Sequence, residues 1–357
     1  MDLHGVTLRL LDARPADVRL VQRQFSAPAI HLSSSAPDVV VRFVDALEMS
    51  GDIRRVGEDL VDDEGVVLVR PGHGRVARIR LQLEGDGALV CERHVREVPL
   101  LGTLTRLAAV RKGLLPLHAV AFCHRGVGVA ATGWSGSGKT AALLAMLAVG
   151  AQPVAAEWVL VSEDGRQLLG VPQPVRLKPS HLQRSARLAR LAVEAGGARR
   201  RVLSAVRPLA TRVAPSAGRR LERELHVDVA LHRVARTAGG AGGQGSALPA
   251  LPTAPFDVLV LLEDAEVAAP TVEPVSAARA VERIALGLEH DLREFRDAHR
   301  ALRYSWSRSG DDCLGAADAT HRQLLTRHLA SRPIFLVRHR QPTPFDVLRS
   351  AVEQTIG

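Results

Sequence analysis

Alternating and continuous apolar runs in the first part of the chain predict β-strands. Turn signals such as "DDEG" and "EGDG" separate the β-branched runs "DVVVRFVDAL", "GVVLVRPG", "RVARIRLQLEG" and "ALVCERHV". Residues 1–98 are therefore predicted to form a strand-rich N-terminal domain. The next run, "VPLLGTLTRLAAVRKG", has helical apolar spacing and stops at Lys112 and Gly113, so residues 99–116 are expected to form a helical connector.

After residue 116 the pattern changes to strands that alternate with helices. The strands "HAVAF" and "GVGVAAT" are joined by a turn at His124, Arg125 and Gly126, which places His124 at the surface. A glycine-rich stretch, the apolar helix "GKTAALLAMLAVG" and the strands "PVAAEWVLV" and "QLLGVP" follow. This order predicts an α/β nucleotide-binding core, and residues 117–357 are assigned to one domain.

Two segments are predicted to interrupt that domain. Residues 180–236 are rich in Arg at helical spacing and are expected to form a basic helical insert. Residues 237–255 are rich in Gly, Ala and Pro, which is typical of a flexible loop. Beyond them, "FDVLVLLED" and "RPIFLVRHR" are predicted strands and "PFDVLRSAVEQTI" a closing helix. One long helix is expected between these strands, with Val281, Ile284, Leu288, Leu292 and Phe295 along one face.

Composition narrows the class of partner. The net charge of +9 favours anionic ligands such as nucleotides or phosphorylated substrates, although an Arg-rich composition alone gives the same charge. Aromatic residues are 3% of the chain, and the Arg-rich helices lack them, so nucleic-acid binding is disfavoured. Three widely spaced cysteines fit a reducing compartment. The N-terminus lacks a signal-peptide pattern and no apolar run is long enough to span a membrane, so a cytoplasmic location is expected.

The stretch "GWSGSGKT" satisfies the pattern G-x-x-x-x-G-K-[ST] between a predicted strand and a predicted helix. Glycines allow backbone N–H groups to surround a phosphate, and the positive end of the helix points to the same place. Lys139 adds a cation, and the Thr140 hydroxyl can bind Mg²⁺. The residues predicted to bind nucleotide are Gly133, Ser135, Gly136, Ser137, Gly138, Lys139 and Thr140.

The sequence around this loop resembles one kinase family. The segments "LHAVAFCHRGVGVAATGWSGSGKT", "PVAAEWVLVSEDG" and "GVPQPVRLKP" resemble the HPr kinase/phosphorylase-like family, whose nucleotide-binding core is shared with phosphoenolpyruvate carboxykinases. The resemblance covers roughly residues 95–180 and extends to stand-alone kinases of peptide natural-product gene clusters. It implies a P-loop fold of that family, binding of ATP and Mg²⁺, and phosphorylation of a hydroxyl, usually of a serine. HPr itself is disfavoured as acceptor because the family's second glycine-rich loop is not found downstream.

One acid of the resembled family is missing. The family has adjacent aspartates in a "V-A-D-D-x-V" pattern, one acting as a base and the other at the metal, and this chain has Ala156 and Glu157 there. The resemblance therefore implies that Glu157 is the remaining catalytic and metal-side acid. A solvated acid at a strand end is the alternative for Glu157. A second acidic pair, Glu263 and Asp264, ends an apolar run in the manner of a Walker B strand and is a weaker candidate, because the family's strand at this place is structural.

Three further side chains are candidates for contact with substrate. His118 precedes the hairpin at a position where the resembled family also has His, and a histidine that only packs in the core is an equal alternative. Arg176 and Lys178 lie on one face of a predicted strand and are candidates for binding a phosphate group of the acceptor or of ATP, the alternative being surface cations.

The sequence thus favours an ATP- and Mg²⁺-dependent phosphotransferase acting on a hydroxyl of a peptide, protein or small molecule, with Lys139, Glu157 and His118 as catalytic residues. A nucleotide-binding partner or scaffold protein with weakened or no catalysis is the main alternative, favoured by Ala156. A hydrolase or nucleotidyltransferase on the same core is a third. The acceptor, the nucleotide base and the oligomeric state stay open.

Overall fold

The computed structural model of the chain describes residues 1–26, 36–71, 76–82, 88–194, 226–238, 251–306 and 313–357. In these ranges the protein is a mixed α/β structure with several sheets. Its contacts divide it into two compact units. The first unit comprises residues 1–116 and 281–327, and the second comprises residues 117–280 and 328–357. No helix of the described residues has the length and apolar character needed to cross a membrane.

The elements are labelled in chain order. The strands are β1 (Asp2–Leu3), β2 (Val6–Leu11), β3 (Val39–Val44), β4 (Arg54–Val56), β5 (Asp59–Asp62), β6 (Gly65–Pro71), β7 (Val76–Gln82), β8 (Ala88–Glu92), β9 (Leu115–Leu117), β10 (Ala119–His124), β11 (Val127–Thr132), β12 (Gln152–Ala155), β13 (Val159–Val161), β14 (Gln167–Gly170), β15 (Pro174–Leu177), β16 (Val227–Ala230), β17 (Thr253–Pro255), β18 (Val258–Asp264), β19 (Thr271–Pro274) and β20 (Ile334–His339). The helices are α1 (Pro15–Gln24), α2 (Leu101–Arg111), α3 (Lys139–Leu147), α4 (Pro179–Leu182), α5 (Leu231–Ala238), α6 (Ala277–Asp291), α7 (Arg293–Trp306), α8 (Cys313–Leu329) and α9 (Phe345–Glu353). Residues 186–194 are also helical.

The first unit contains an eight-stranded mixed sheet in the order β1-β2-β3-β8-β7-β6-β5-β4. The pairs β2–β3 and β3–β8 are parallel and the other neighbours are antiparallel. The four strands predicted in this region are present as β3, β6, β7 and β8, whereas β1, β2, β4, β5 and α1 were not predicted as separate elements. The predicted turn "EGDG" lies outside the described residues.

The helical region after residue 276 belongs mostly to the first unit. The predicted single helix is two helices, α6 and α7, separated by a turn at Leu292. The Leu292 N–H donates to the Leu288 carbonyl oxygen and the Arg296 N–H donates to the Leu292 carbonyl oxygen, so hydrogen bonds of helical spacing continue across the turn. The charged face of α7 bonds to the eight-stranded sheet, where Arg70 donates to Glu294 at 2.7 Å. This contact helps explain why a segment assigned by sequence to the second domain clusters with the first 116 residues.

The second unit contains a six-stranded sheet in the order β12-β10-β11-β18-β20-β19. β10 and β11 form the predicted antiparallel hairpin, and β12, β11, β18 and β20 all run in one direction. Helices α3 and α9 pack on this sheet with a cluster of buried Val, Leu and Ala side chains from β11, β18 and β20. The second unit also contains the antiparallel strands β17-β14-β13 and the antiparallel pair β15-β16.

Three sequence predictions in the second unit are wrong in detail. The predicted strand "PVAAEWVLV" is two strands, β12 and β13, which belong to different sheets and are separated by a bend at residues 156–158. The predicted helical insert contains β16, which pairs with β15 and whose Val227 and Val229 are buried in the apolar cluster. The predicted flexible loop ends in β17, which pairs with β14. Residues 195–225 of the insert and 239–250 of the loop lie outside the described residues.

His124 is not at the surface as predicted. It is the last residue of β10 and is 6% exposed, with Nε2 3.9 Å from a carboxylate oxygen of Glu353 on α9. The turn of the hairpin consists of Arg125 and Gly126, which both have positive φ. The histidine therefore lies one position too early in the chain to share the exposure of the turn.

Candidate functional site

The glycine loop, residues 133–140, leaves the end of β11 and enters α3 at one edge of the six-stranded sheet, here called the loop edge. The carboxyl ends of β12, β18 and β20 lie at the same edge because these strands are parallel to β11. The amino end of β10 is also there, since Ala119 pairs with Thr132. The topology therefore brings five separate chain segments to one place, the arrangement in which open α/β sheets usually bind ligands.

The backbone of the glycine loop needs its glycines. Gly136 and Gly138 have φ of 90° and 98°, values that residues with a Cβ atom adopt only with strain. A side chain at Gly133 would also overlap the Leu262 carbonyl oxygen and the Ser137 hydroxyl, and one at Gly138 would overlap Gln341 and His339. The loop is thus closely packed against the ends of β18 and β20, so its path is fixed by neighbours as well as by its own sequence.

The polar groups of the glycine loop are only partly bonded. Lys139 Nζ donates to the carbonyl oxygens of Gly133 and Trp134 at 2.6 and 3.2 Å. The Ser137 side chain is 4% exposed, and its buried Oγ has no hydrogen-bond partner within the described structure. Buried polar atoms usually have a partner, so an isolated hydroxyl beside a helix N-terminus is compatible with a ligand that accepts hydrogen bonds. Thr140 is partly exposed, and Ser135 is exposed.

The missing acid and its neighbour lie in the bend after β12. Ala156 is 7% exposed and belongs to the apolar cluster that includes α3, so its Cβ packs against hydrocarbon. Glu157 is partly exposed, and no hydrogen bond or ion pair involves its carboxylate in the described ranges. Of the two positions that the family pattern pairs, only Glu157 presents a polar group at the surface of the loop edge.

His118 is held beside this bend. Its ring stacks on Trp158 with ring centroids 4.9 Å apart and an interplanar angle of 19°, and the Trp158 side chain is buried. The His118 carbonyl oxygen accepts a hydrogen bond of 2.8 Å from the Thr132 hydroxyl, at the start of the glycine loop. The backbone of His118 is thereby tied to the loop, and its ring is tied to the residue that follows Glu157.

The acids at the end of β18 lie at the loop edge. Thr132 pairs with Leu261, so Glu263 and Asp264 extend beyond the level at which the glycine loop begins. Strand alternation places Asp264 on the same side as Leu262, the side that packs with α3. One oxygen of Asp264 accepts the Gln341 N–H at 2.8 Å, and Glu263 lies 3.7 Å from the Arg338 guanidinium.

The end of β20 supplies contacts that the sequence did not predict. His339 is 0% exposed, its Nε2 lies 2.9 Å from the Ser137 carbonyl oxygen, and its Nδ1 lies 2.6 Å from the Thr343 hydroxyl. Burial lowers the pKa of His339, opposed by the Ser137 carbonyl and by Asp264. The only sequence signal was a polar run directly after an apolar strand, which by itself does not reveal that β20 ends under the loop.

Arg176 and Lys178 lie on the exposed face of β15 and just beyond it, as predicted, while Val175 and Leu177 are buried on the other face. Arg176 is 3.7 Å from Asp228 on β16. Neither cation has a hydrogen bond or ion pair with the glycine loop in the described part of the chain. The structure thus brings His118, Glu157 and the loop residues to one edge, and it shows no contact that joins these two cations to them.

No family model matches this chain, and no curated protein matches its sequence. Among the described residues, no three His, Cys, Asp or Glu side chains form a group that could hold a metal ion.

Proposed function

We propose that the protein is an ATP- and Mg²⁺-dependent phosphotransferase with a nucleotide-binding core like that of HPr kinases, and that it phosphorylates a hydroxyl of a peptide, protein or small molecule. The observation that carries the proposal is the glycine loop, which joins the carboxyl end of β11 to the N-terminus of α3 and contains the buried Ser137 hydroxyl, without a hydrogen-bond partner among the described residues. A phosphate accepts hydrogen bonds from backbone N–H groups and from a hydroxyl, which this loop offers together.

Each polar residue has a role that its surroundings support. Lys139 donates hydrogen bonds to the carbonyl oxygens of Gly133 and Trp134, which belong to the loop itself. Its long side chain can exchange these neutral acceptors for the charged oxygens of the terminal phosphates. Glu157, with no other bond in the described structure, is suited to orient the acceptor hydroxyl and accept its proton. The stacked His118 lies beside that position.

The residues present fit Mg²⁺ bound largely through phosphate oxygens. Mg²⁺ is usually held by one or two protein oxygens and by the phosphates of the nucleotide, so the lack of a three-residue cluster in the described ranges does not conflict with it. Thr140 would supply a hydroxyl, and Glu157 or Asp264 a carboxylate. When bound, the ion would neutralise charge that develops on the transferred phosphoryl group.

The second candidate is a nucleotide-binding partner protein without efficient catalysis. The observation that favours it is the position of Ala156, whose Cβ packs in the apolar cluster, so that the first acid is replaced by a core residue. A general base contributes on the order of 10²–10⁴-fold, so this loss weakens a kinase without removing its binding site.

Transfer from ATP labelled at the γ-phosphate tests the two candidates. The protein, Mg²⁺ and a peptide library or cell extract are incubated, with Lys139→Ala as the control for the glycine loop. We expect label in an acceptor hydroxyl, lost in Lys139→Ala and reduced in Glu157→Gln. Ala156→Asp should increase transfer if the site is a weakened kinase, provided that the variant folds.

Binding of ATP that requires Lys139 but yields no labelled acceptor in wild type or in Ala156→Asp would contradict the kinase and favour the partner protein. Label released as inorganic phosphate would instead indicate a hydrolase. In either case the nucleotide site itself would stand.

A further inference from the structure

We propose that His339 is a positioning residue that orients the peptide between Ser137 and Gly138 so that the glycine loop can bind phosphate. This inference rests on the proposed function and deepens it. His339 lies 202 residues beyond Ser137 in the chain, at the end of β20, and its ring is completely buried beneath the loop.

The hydrogen bonds of His339 fix which nitrogen acts on the loop. The Ser137 carbonyl oxygen can only accept, so Nε2 carries a hydrogen and donates to it at 2.9 Å. Nδ1 lies 2.6 Å from the Thr343 hydroxyl, which also lies 2.8 Å from the Arg340 carbonyl oxygen. Nδ1 of the ring is thus held by the segment that follows β20, and Nε2 is hydrogen-bonded to the glycine loop.

The planarity of the peptide bond converts this contact into an orientation of the loop. In a trans peptide the C=O of one residue and the N–H of the next point in opposite directions. A hydrogen bond that holds the Ser137 carbonyl toward His339 therefore turns the Gly138 N–H away from His339. This N–H belongs to the N-cap residue of α3, one of the free donors with which a helix N-terminus binds an anion.

Gly138 is closely packed against His339 and Gln341. Its φ is 98°, and a Cβ atom there would lie 2.7 Å from His339 Cε1. The Gln341 side chain occupies the same space, and its backbone N–H is bonded to Asp264 at the end of β18. The loop peptide is therefore packed against residues at the ends of β18 and β20. Rotation of this peptide would break the hydrogen bond between His339 and the Ser137 carbonyl oxygen.

Two substitutions of the same histidine separate orientation from packing. In His339→Gln the amide nitrogen can take the place of Nε2 and still donate to Ser137. In His339→Asn the shorter amide can replace Nδ1 but cannot reach Ser137. Loss of one hydrogen bond to the loop should weaken MgATP binding about tenfold in His339→Asn, whereas the affinity of His339→Gln should stay within about 1.5-fold of wild type.

Titration calorimetry with MgATP measures these affinities, and thermal unfolding without nucleotide reports the structural effect. The matched control is His124→Asn, because His124 is also a buried histidine of the six-stranded sheet but lies at the opposite end of β10. We expect this control to lose thermal stability and to keep its affinity for MgATP.

Equal affinity of wild type and His339→Asn would overturn the inference and leave the proposed function intact, whereas no binding of MgATP by wild type would overturn both. Equal weakening in the Asn and Gln variants would also overturn it, since packing alone would then explain the loss. If His339→Asn does not fold, Thr343→Val serves instead, because it keeps the ring but removes its outer hydrogen-bond partner. About threefold weaker binding supports the inference, and unchanged binding contradicts it.

Discussion

The two units use buried polar groups differently. In the first unit, buried charges bind one another: Asp62, at 0% exposure, accepts hydrogen bonds from the Arg80 guanidinium and from the N–H groups of Ser50, Glu64 and Gly65. Burial alone would raise the pKa of Glu92, but bonds from Leu47 and Arg78 outweigh it and lower that pKa. Asp62 and Glu92 therefore receive their hydrogen bonds from other groups of the first unit.

In the second unit, the polar groups of the loop edge are held in place while part of their bonding capacity stays unused. Ser137 Oγ is buried without a partner in the described structure, and Glu157 has no hydrogen bond or ion pair there. Lys139 Nζ donates to the Gly133 and Trp134 carbonyl oxygens of the loop itself. The first unit thus pairs these buried carboxylates internally, whereas the incompletely bonded groups of the loop edge are the basis of the proposed nucleotide site.

The largest expected effect comes from breaking a pair in the first unit. Asp62→Ala removes the fully buried one of the two carboxylates that pair with Arg80, together with the acceptor of the Ser50, Glu64 and Gly65 N–H groups. It should reduce the free energy of unfolding by about 3–5 kcal/mol. Urea denaturation followed by circular dichroism measures it. Asp297→Ala is the control, since its exposed pairs with Arg293 and Arg300 are worth about 0.5 kcal/mol. A change below about 1 kcal/mol in Asp62→Ala would contradict the structural role of the pair.

A substitution at the loop edge should affect both stability and binding. Gly138→Ala places a Cβ at positive φ and against Gln341 and His339, so unfolding should become easier by about 1–3 kcal/mol and MgATP affinity should fall at least tenfold. Gly126→Ala is matched, because Gly126 also has positive φ, at 84°, but has open space around it in the hairpin turn. Gly126→Ala should lower the stability and leave the MgATP affinity unchanged. Unchanged nucleotide binding in Gly138→Ala would show that the close packing of the loop has no functional importance.

The smallest expected effect is a loss of stability at acidic pH caused by protonation of His181. Burial, with smaller contributions from Lys178 and Arg184, lowers the pKa of His181 to about 4. The unfolded chain binds this proton first, so stability is fully present above about pH 6.5 and decreases as the pH falls toward about 4. The loss should be on the order of 1 kcal/mol between about pH 7 and about pH 5.5. His181→Asn keeps an acceptor for the Lys178 N–H and should flatten this dependence in denaturation curves, while an identical slope would contradict the assignment.

Local patterns were sufficient for elements whose neighbours in sequence are also their neighbours in space. The β10–β11 hairpin, the glycine loop with α3, and the end of α2 at Lys112 follow from turn residues, glycines and apolar spacing. The loop residues were predicted from a short motif and its flanking strand, and Glu157 from the family resemblance. Their meeting at one edge agrees with the predicted order of strand, loop, helix and strand.

The remaining features depend on tertiary contacts that a local pattern does not encode. The run "PVAAEWVLV" is apolar throughout, so the pattern does not show that it changes sheets at residues 156–158. β16 lies within an Arg-rich segment whose composition suggested helix, and its pairing with β15 decides its conformation. His339 meets Ser137 only because parallel pairing of β11, β18 and β20 aligns their ends.

The most direct test of the account is titration of MgATP into the wild-type protein and into Lys139→Ala, with Lys112→Ala as a lysine control from the first unit, where Lys112 pairs with Asp38. We expect MgATP to bind saturably to wild type and to Lys112→Ala. It should bind about 100-fold more weakly to Lys139→Ala, because this change removes a charge-assisted contact with phosphate. No binding to wild type, or equal binding to wild type and Lys139→Ala, would contradict the claim that the glycine loop holds a nucleotide.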